Sequence, residues 1–141
     1  MTKVFFYHGA GDRLAAAASL IGKAYMQKKW LLVYAPEREI ADTLDRYLWV
    51  HPPAGFVPHV RADSPLANET PIVIAERLDS MAHGERLFNL SDDVPPGFAR
   101  FAHLIELVGE SDEARAAGRR RARFYLDRGY EVSYLDLSGK A

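Results

Sequence analysis

The sequence predicts an α/β fold built on a parallel sheet. Short runs of β-branched and aromatic residues alternate with segments whose apolar residues recur at helical spacing, and the links between them are short. Strands that are joined through helices in this way run parallel, because a parallel neighbour needs a long crossover connection. The 141 residues show no internal repeat and no linker-like stretch, so residues 1–141 are predicted to form one domain.

The first half of the chain predicts strand, helix, strand, helix. Residues 4–7 form a compact apolar run that ends near a glycine turn, as a buried strand does. Asp12 stands where a helix N-cap belongs, and apolar residues over 12–28 recur on one face of a helix. Residues 31–35 predict a second buried strand. Residues 37–48 carry apolar residues at every fourth position, which predicts a second helix.

The second half of the chain begins with a proline-rich loop over residues 51–58. Ser111 is placed to cap a helix that runs to Arg128, where a glycine follows. The alternating segment 130–137 predicts a last strand at an edge of the sheet. Three further strands are predicted between the loop and this helix, at 71–75, 86–90 and 102–108.

Composition excludes several classes of protein. The chain is 48% apolar and 26% charged, as globular proteins are, and 18 basic residues against 19 acidic ones give a net charge of -1. This balance gives no sign of general attraction to nucleic acids or anionic membranes. The absence of cysteine excludes disulfides, thiolate zinc sites and cysteine nucleophiles. No apolar stretch is long enough for a membrane span and the first residues lack a signal-peptide core, so a cytoplasmic protein is expected.

A glycine turn after the first strand leaves one enzymatic alternative open. Gly9, Ala10 and Gly11 lie between a predicted strand and a predicted helix, as in dinucleotide-binding domains, and would serve a small oxidoreductase-like protein. The third glycine of that fingerprint is replaced by Leu14, and Asp12 would place a carboxylate beside the phosphates. We therefore favour a tight turn that is followed by a helix cap.

Other motifs predict no catalytic residues, no metal ligands and no cofactor. The five histidines are spread along the chain, and none forms a short-spaced pair with another ligand residue on one helix. His8 and His59 are the best placed of them, at the ends of a predicted strand and a predicted loop. The chain has no P-loop, no nucleophile elbow and no zinc-deaminase signature.

Two large aromatic residues flank the prolines of the loop. Trp49 and Phe56 lie on either side of a proline pair that stiffens the segment between them. They either fold back over the core as a lid or present rigid apolar anchors to a partner protein, for which the prolines lower the cost of ordering. The residues alone leave these two interpretations equally open.

The last predicted helix carries the strongest local charge. Residues 115–128 contain six arginines, which only one aspartate opposes. Arg115, Arg119 and Arg123 fall within about 80° of one another around the helix and form a single stripe, which we call the arginine stripe. Such a stripe is either a solvated face or a site for carboxylates or phosphates, which guanidinium groups bind bidentately. Arg121 falls among the apolar positions, where pairing with a buried carboxylate or snorkelling is expected.

A motif that spans the second helix and the loop is similar to that of a known family. The chain reads L-D-x-x-L-W-x-x-P-x-x-x-F-x-P-H from Leu44 to His59. With its opening strand and its arginine-rich C-terminal helix, it resembles the chi subunits of bacterial DNA polymerase III over essentially its whole length. The middle of the chain, residues 61–100, matches that pattern only loosely.

This resemblance implies a fold, a function and two partners. The fold is a single Rossmann-like α/β domain with a mostly parallel sheet flanked by helices and no bound nucleotide. The function is that of a non-catalytic accessory subunit in the clamp-loader complex of the replisome. One partner is the psi subunit of the clamp loader, and the other is the acidic C-terminal tail of single-stranded DNA-binding protein, so that DNA is contacted only indirectly. The resemblance implies that this tail ends in a few aspartates and an Ile-Pro-Phe with a free carboxylate.

The resemblance also implies two sets of site residues. In the tail-binding site, Arg119 corresponds to the anchor for the terminal carboxylate, and Arg115 and Arg123 correspond to flanking charges. Ala122 stands where a relative has an aromatic residue, so the pocket is expected to be shallower here or completed by another side chain. The apolar pocket positions correspond to Val108, Val132 and Tyr134. The psi-binding surface corresponds to Trp49, Phe56 and Pro58.

Overall fold

A sheet of seven strands organises the part of the chain that the computed structural model describes, which is residues 1–50, 57–78 and 85–138. The strands lie in the order β3-β4-β2-β5-β6-β1-β7, and every pairing is parallel. The predicted parallel α/β fold is therefore confirmed. In chain order the strands are β1 (Lys3–His8), β2 (Leu31–Tyr34), β3 (His59–Arg61), β4 (Ile72–Ala75), β5 (Arg86–Asn89), β6 (His103–Leu107) and β7 (Glu131–Asp136).

Three helices cover the two faces of this sheet, as a parallel sheet requires because both of its faces are apolar. They are α1 (Arg13–Met26), α2 (Arg38–Val50) and α3 (Asp112–Asp127). Ile21 of α1 and Leu44 of α2 belong to the core on one face, and Tyr125 of α3 belongs to the core on the other. None of the helices in the described ranges is both long enough and apolar enough to cross a membrane.

Strand β3 and two short 3₁₀ turns, Ala67–Glu69 and Phe98–Arg100, are absent from the sequence prediction. Strand β3 has only three residues, and it follows directly on the proline-rich segment, so it offers too few positions for an alternation to be recognised. It completes the sheet on the side of β4 and forms the edge opposite β7. Of the predicted loop 51–58, residues 51–56 lie outside the described part of the chain.

The turn from β1 into α1 supports the interpretation of Asp12 as a helix cap. Its carboxylate accepts hydrogen bonds from the backbone N–H groups of Leu14 and Ala15 at 3.0 and 3.2 Å, so the chain's own side chain occupies the end of the helix that a phosphate would need. Gly9 has φ +78°, and a Cβ there would lie 2.6 Å from Oδ1 of Asp136. The glycine is therefore explained by the close passage of the residues at the end of β7.

Candidate functional site

An open groove of about 650 Å³ lies between α3 and the ends of β1, β6 and β7. Its position follows from the topology, because the carboxyl ends of parallel strands meet at one edge of the sheet. The arginine stripe forms one wall, and Val108 and Tyr134 also line the groove. Five of the six residues that the family resemblance assigned to the tail-binding site thus meet in one place.

Apolar groups form the bottom of this groove. The rings of Phe6 and Tyr134 stack with their centroids 5.9 Å apart, and the tyrosine is 57% exposed. Gly118 lies so close to Val108, the residue that follows β6, that a Cβ would stand 2.9 Å from both of its γ-methyl groups. Only a glycine lets α3 approach the sheet this closely, and that approach brings the arginine stripe beside the apolar bottom of the groove.

The charges in the groove are divided between its two ends. Arg115 and Arg119 are exposed, and within the described part of the chain neither has a carboxylate at ion-pair distance. Arg123 has only a long contact, 3.6 Å, with Asp127 on the same exposed helix face. Such surface pairs contribute little binding energy, so the three guanidinium groups remain available to an external anion.

Two carboxylates mark the other end of the groove. Glu110 and Asp136 line it where the strands end, and Nδ1 of His8 lies 3.9 Å from Oδ1 of Asp136. Asp136 also accepts hydrogen bonds from the backbone N–H and the hydroxyl of Ser138, at 2.8 and 2.6 Å. A bound carboxylate is therefore attracted toward α3 and repelled from the ends of the strands.

A buried ionic cluster fixes α3 to the sheet beneath the groove. Nε of Arg121 donates to Oε1 of Glu106 at 2.9 Å, and both side chains are almost completely buried. Tyr125 donates its hydroxyl to the other carboxylate oxygen at 2.6 Å, and the Asn89 amide donates to both oxygens at 3.0 and 3.1 Å. Of the two expectations for Arg121, pairing with a buried carboxylate is confirmed and snorkelling is not observed.

The pKa values of this cluster follow from burial. Removal from water raises the pKa of Glu106, against the opposing effects of Arg121, Tyr125 and Asn89, which favour the ionised form. Burial also raises the pKa of the Tyr125 hydroxyl, and the neighbouring carboxylate raises it further. The tyrosine therefore remains a hydrogen-bond donor to the carboxylate, and it connects α3 with β6.

Two residues differ from the groove assignment that the family resemblance implied. Val132 does not line the groove; it is half-buried and packs against the core on the α3 face of the sheet. Leu126 does line it and is 51% exposed, although no motif identified it. The helical wheel contains the missing signal, because Leu126 lies about 20° from Arg115 around the helix. Leu126 lies one helical turn after Ala122, the position at which the pocket was expected to be shallower or to be completed by another side chain.

The residues assigned to the psi-binding surface lie at the end of α2, near the opposite edge of the sheet. Trp49 is 55% exposed, and its ring centroid lies 4.4 Å from that of His59. His59 is buried, with Nδ1 2.7 Å from the Val57 carbonyl oxygen and Nε2 3.0 Å from Oδ1 of Asp45. Pro58 is half-buried beside them, whereas the predicted contact residue Phe56 lies outside the described part of the chain.

This arrangement explains why the residue types of the sequence motif occur together. Asp45, Trp49 and His59 come from a helix and from the strand that follows the loop, and they meet in one cluster. Within the described ranges, no group of three or more histidine and carboxylate side chains is arranged to hold a metal ion. The motif therefore forms an exposed aromatic surface in which the Trp49 ring packs on His59, and His59 is held by Asp45.

Comparison with known proteins gives consistent similarities over the whole domain. The family model for the DNA polymerase III chi subunit matches residues 1–133. The DNA polymerase III subunit chi of Pseudomonas aeruginosa is 30% identical over 136 residues, which cover 94% of this chain and 94% of that protein. The subunit of the same name from Haemophilus influenzae is 25% identical over 120 residues, covering 83% of this chain and 82% of that protein.

Proposed function

The chain belongs to the family of DNA polymerase III chi subunits, and on this basis we propose that it is a non-catalytic accessory subunit that binds the acidic C-terminal tail of single-stranded DNA-binding protein. The observation that carries the proposal is the groove beside α3, in which three available arginines border an apolar bottom. A peptide that combines aspartates, a terminal phenylalanine and a free carboxylate has the complementary chemistry.

The groove suggests a role for each of its walls. Arg119, at the middle of the arginine stripe, takes the terminal carboxylate, and Arg115 and Arg123 attract the aspartates that precede it. The apolar bottom, with Tyr134 and Leu126 at its margins, takes the phenylalanine ring. The volume of about 650 Å³ lies within the range of sites that hold a few residues or a small ligand. Repulsion from the carboxylates at the strand ends sets the direction of the peptide.

We also propose that the surface around Trp49 and Pro58, together with Phe56, binds the psi subunit. Trp49 is supported from below by His59, which limits the entropy that the indole loses when a partner covers it. Strand β3, from which His59 comes, and strand β7, beside the groove, form opposite edges of the sheet. A subunit with two sites placed in this way can hold two partners at once and link the clamp loader to single-stranded DNA-binding protein.

The tail site is tested by a fluorescence-anisotropy titration with a labelled peptide that contains aspartates and ends in Ile-Pro-Phe with a free carboxylate. We expect a Kd on the order of 1 μM, which corresponds to about -8 kcal/mol. The substitution Arg119→Glu is expected to raise this Kd by at least about tenfold, because it replaces an attraction by a repulsion at the centre of the groove. Added salt is expected to weaken binding, because the charges are exposed.

A matched control is available on the same helix. Arg120 is exposed and does not line the groove, so Arg120→Glu makes the same change in charge at the neighbouring position. We expect it to change the Kd by less than about threefold. A peptide amidated at its C-terminus is expected to bind wild type as weakly as the free peptide binds Arg119→Glu. Equal effects of the two substitutions, or undiminished binding of the amidated peptide, would rule out Arg119 as the carboxylate anchor.

A further inference from the structure

A second basic surface lies at the opposite end of the sheet, on the face that α1 covers. Arg86, His103 and Lys3 are the first residues of β5, β6 and β1, and they are paired in register across the three strands. Neighbouring strands lie about 4.8 Å apart, so the three side chains form a row along the amino edge of the sheet. Lys3 and Arg86 flank His103 on either side, about two strand spacings apart, so they concentrate positive charge at this edge.

Helix α1 and the residues after it add further positive charge to this row. Lys23 and Lys29 line a groove of about 270 Å³ together with Arg86 and His103. Lysines at positions 3, 23 and 29 supply most of the positive charge at this edge, whereas the groove at the other end is bordered by arginines. We call the set of Lys3, Lys23, Lys29, Arg86 and His103 the amino-edge surface.

Nearby carboxylates compensate this charge only in part. Glu85 lies 3.9 Å from Arg86 and is mostly exposed, and Glu131 is paired in register with Lys3 on β7. Within the described ranges, Lys3 has no carboxylate at ion-pair distance, and the same holds for Lys23 and Lys29. These cations therefore lack a partner within the described structure.

The lowered pKa of His103 reflects burial and also the excess of positive charge at this edge. Burial lowers the pKa of His103, and the cations Arg86, Lys3 and Lys29 lower it further, while Glu85 alone opposes them. Its Nδ1 is buried and has no hydrogen-bond partner among the described residues. The ring therefore contributes mainly as a flat surface, and Phe5 lies against it with the ring centroids 5.7 Å apart.

We propose that the amino-edge surface binds single-stranded DNA directly, in addition to the indirect contact that the family resemblance implies. A strand of DNA presents phosphates at a regular spacing and flat bases between them, and proteins bind it by combining a basic groove with aromatic rings. Lysine ammonium groups bind phosphates as point charges, and Arg86 can bind a phosphate through two parallel hydrogen bonds. The apolar bottom of this groove, formed by Phe5, Leu20 and Ile105, offers a place for a base.

This site is separate from the groove beside α3. The amino-edge surface lies on the α1 face at the amino ends of the strands, and the groove lies on the α3 face at their carboxyl ends. The proposal therefore does not depend on the tail-binding function, and each site can be altered without a change in the other.

The test is an anisotropy titration of the protein into fluorescein-labelled oligothymidylate of about fifteen nucleotides at low salt, near 50 mM NaCl. Wild type is expected to bind with a logarithmic salt slope of about -2 to -3, since each neutralised phosphate of a single strand contributes about -0.7. The double substitution Lys23→Glu/Lys29→Glu is expected to weaken binding at least tenfold and to make the slope shallower by about 1.4. Both lysines are exposed, so unchanged circular dichroism is expected to show that the fold is retained.

Two control variants distinguish binding at this surface from a general effect of charge. Arg119→Glu/Arg123→Glu makes the same change in total charge at the other groove and is expected to leave the DNA affinity within about twofold, because the sites are farther apart than the screening length. Phe5→Leu keeps apolar bulk but removes the ring, and it is expected to weaken binding about fivefold through lost stacking. Absence of binding by wild type, equal losses in the two double variants, or equally tight binding of a polyaspartate peptide of the same charge would each overturn the assignment to DNA.

Discussion

At the scale of single residues, the buried pair of Arg121 and Glu106 decides how α3 is oriented. Four of the five arginines of α3 are exposed, so their charges alone do not prevent the helix from rotating about its axis. Arg121 prevents this because its guanidinium also donates to the Asp92 carbonyl oxygen at 3.1 Å, so that it is held from two sides. The pair thus sets which three arginines face the groove.

We predict that Arg121→Met destabilises the protein by about 3–5 kcal/mol, because it leaves the Glu106 carboxylate buried without its counter-charge. Urea denaturation followed by circular dichroism measures the free energy of unfolding. Arg120→Met, at the exposed neighbouring position, is expected to change it by less than about 0.5 kcal/mol. The double variant Glu106→Gln/Arg121→Met is expected to recover part of the loss, because no unpaired charge remains. Similar stabilities of wild type and Arg121→Met would show that the pair does not anchor the helix.

For contacts between single residues, the sequence predicted both partners where they are close in the chain and only one partner, or neither, where they are distant. It placed Asp12 as a cap because both partners of that contact lie within one helical turn. It predicted a buried carboxylate for Arg121 from the apolar positions around it, but it could not name Glu106, which is 15 residues away on a neighbouring strand. The Trp49–His59 contact was missed for the same reason, because it depends on how the chain returns to the sheet after the loop.

At the scale of elements, α3 both packs closely against the sheet and carries long charged side chains beside it, and these two features conflict in most helices. Gly118 brings the helix backbone close to Val108 at the end of β6, and the long arginine side chains of the helix form one wall of the groove. The arginine stripe was visible in the sequence because a helical period is local. Local patterns did not show the apolar bottom of the groove, because Phe6 and Tyr134 belong to strands at opposite ends of the chain. The family resemblance supplied Tyr134 but not Phe6.

We predict that Leu126→Ala weakens binding of the tail peptide about three- to tenfold, because Leu126 completes the wall that Ala122 leaves low. The expected loss corresponds to burial of part of a leucine side chain on binding. The same peptide titration measures it. Leu66→Ala is the matched control, since Leu66 is exposed to almost the same degree, 53% against 51%, and lies outside the groove. Equal affinities of Leu126→Ala and Leu66→Ala for the peptide would exclude Leu126 from the pocket.

At the scale of the whole molecule, the sheet separates the proposed sites. Six strand spacings of about 4.8 Å place β3 and β7 about 29 Å apart, and the amino-edge surface lies at the other ends of the strands from the groove beside α3. Charges at such distances are screened from one another at physiological salt, where the screening length is about 8 Å.

We therefore predict that the proposed psi and tail sites act independently. Trp49→Ala is expected to abolish capture of the psi subunit when the two subunits are co-expressed, because the indole is the largest exposed group of that surface. The same variant is expected to bind the tail peptide with a Kd within about twofold of wild type, and Arg119→Glu is expected to capture psi as wild type does. Both measurements use the full chain.

Measuring both psi capture and tail affinity for each variant distinguishes the loss of one site from the loss of the fold. A variant that unfolds fails in both measurements, whereas an altered site fails in one. Trp49→Phe keeps an aromatic ring next to His59 and is therefore expected to retain part of the psi affinity. A purely structural role of the indole would not predict this partial retention. Failure of wild type to capture psi would contradict the assignment of this surface. A change of more than about fivefold in tail affinity on Trp49→Ala would show instead that the two edges of the sheet are coupled.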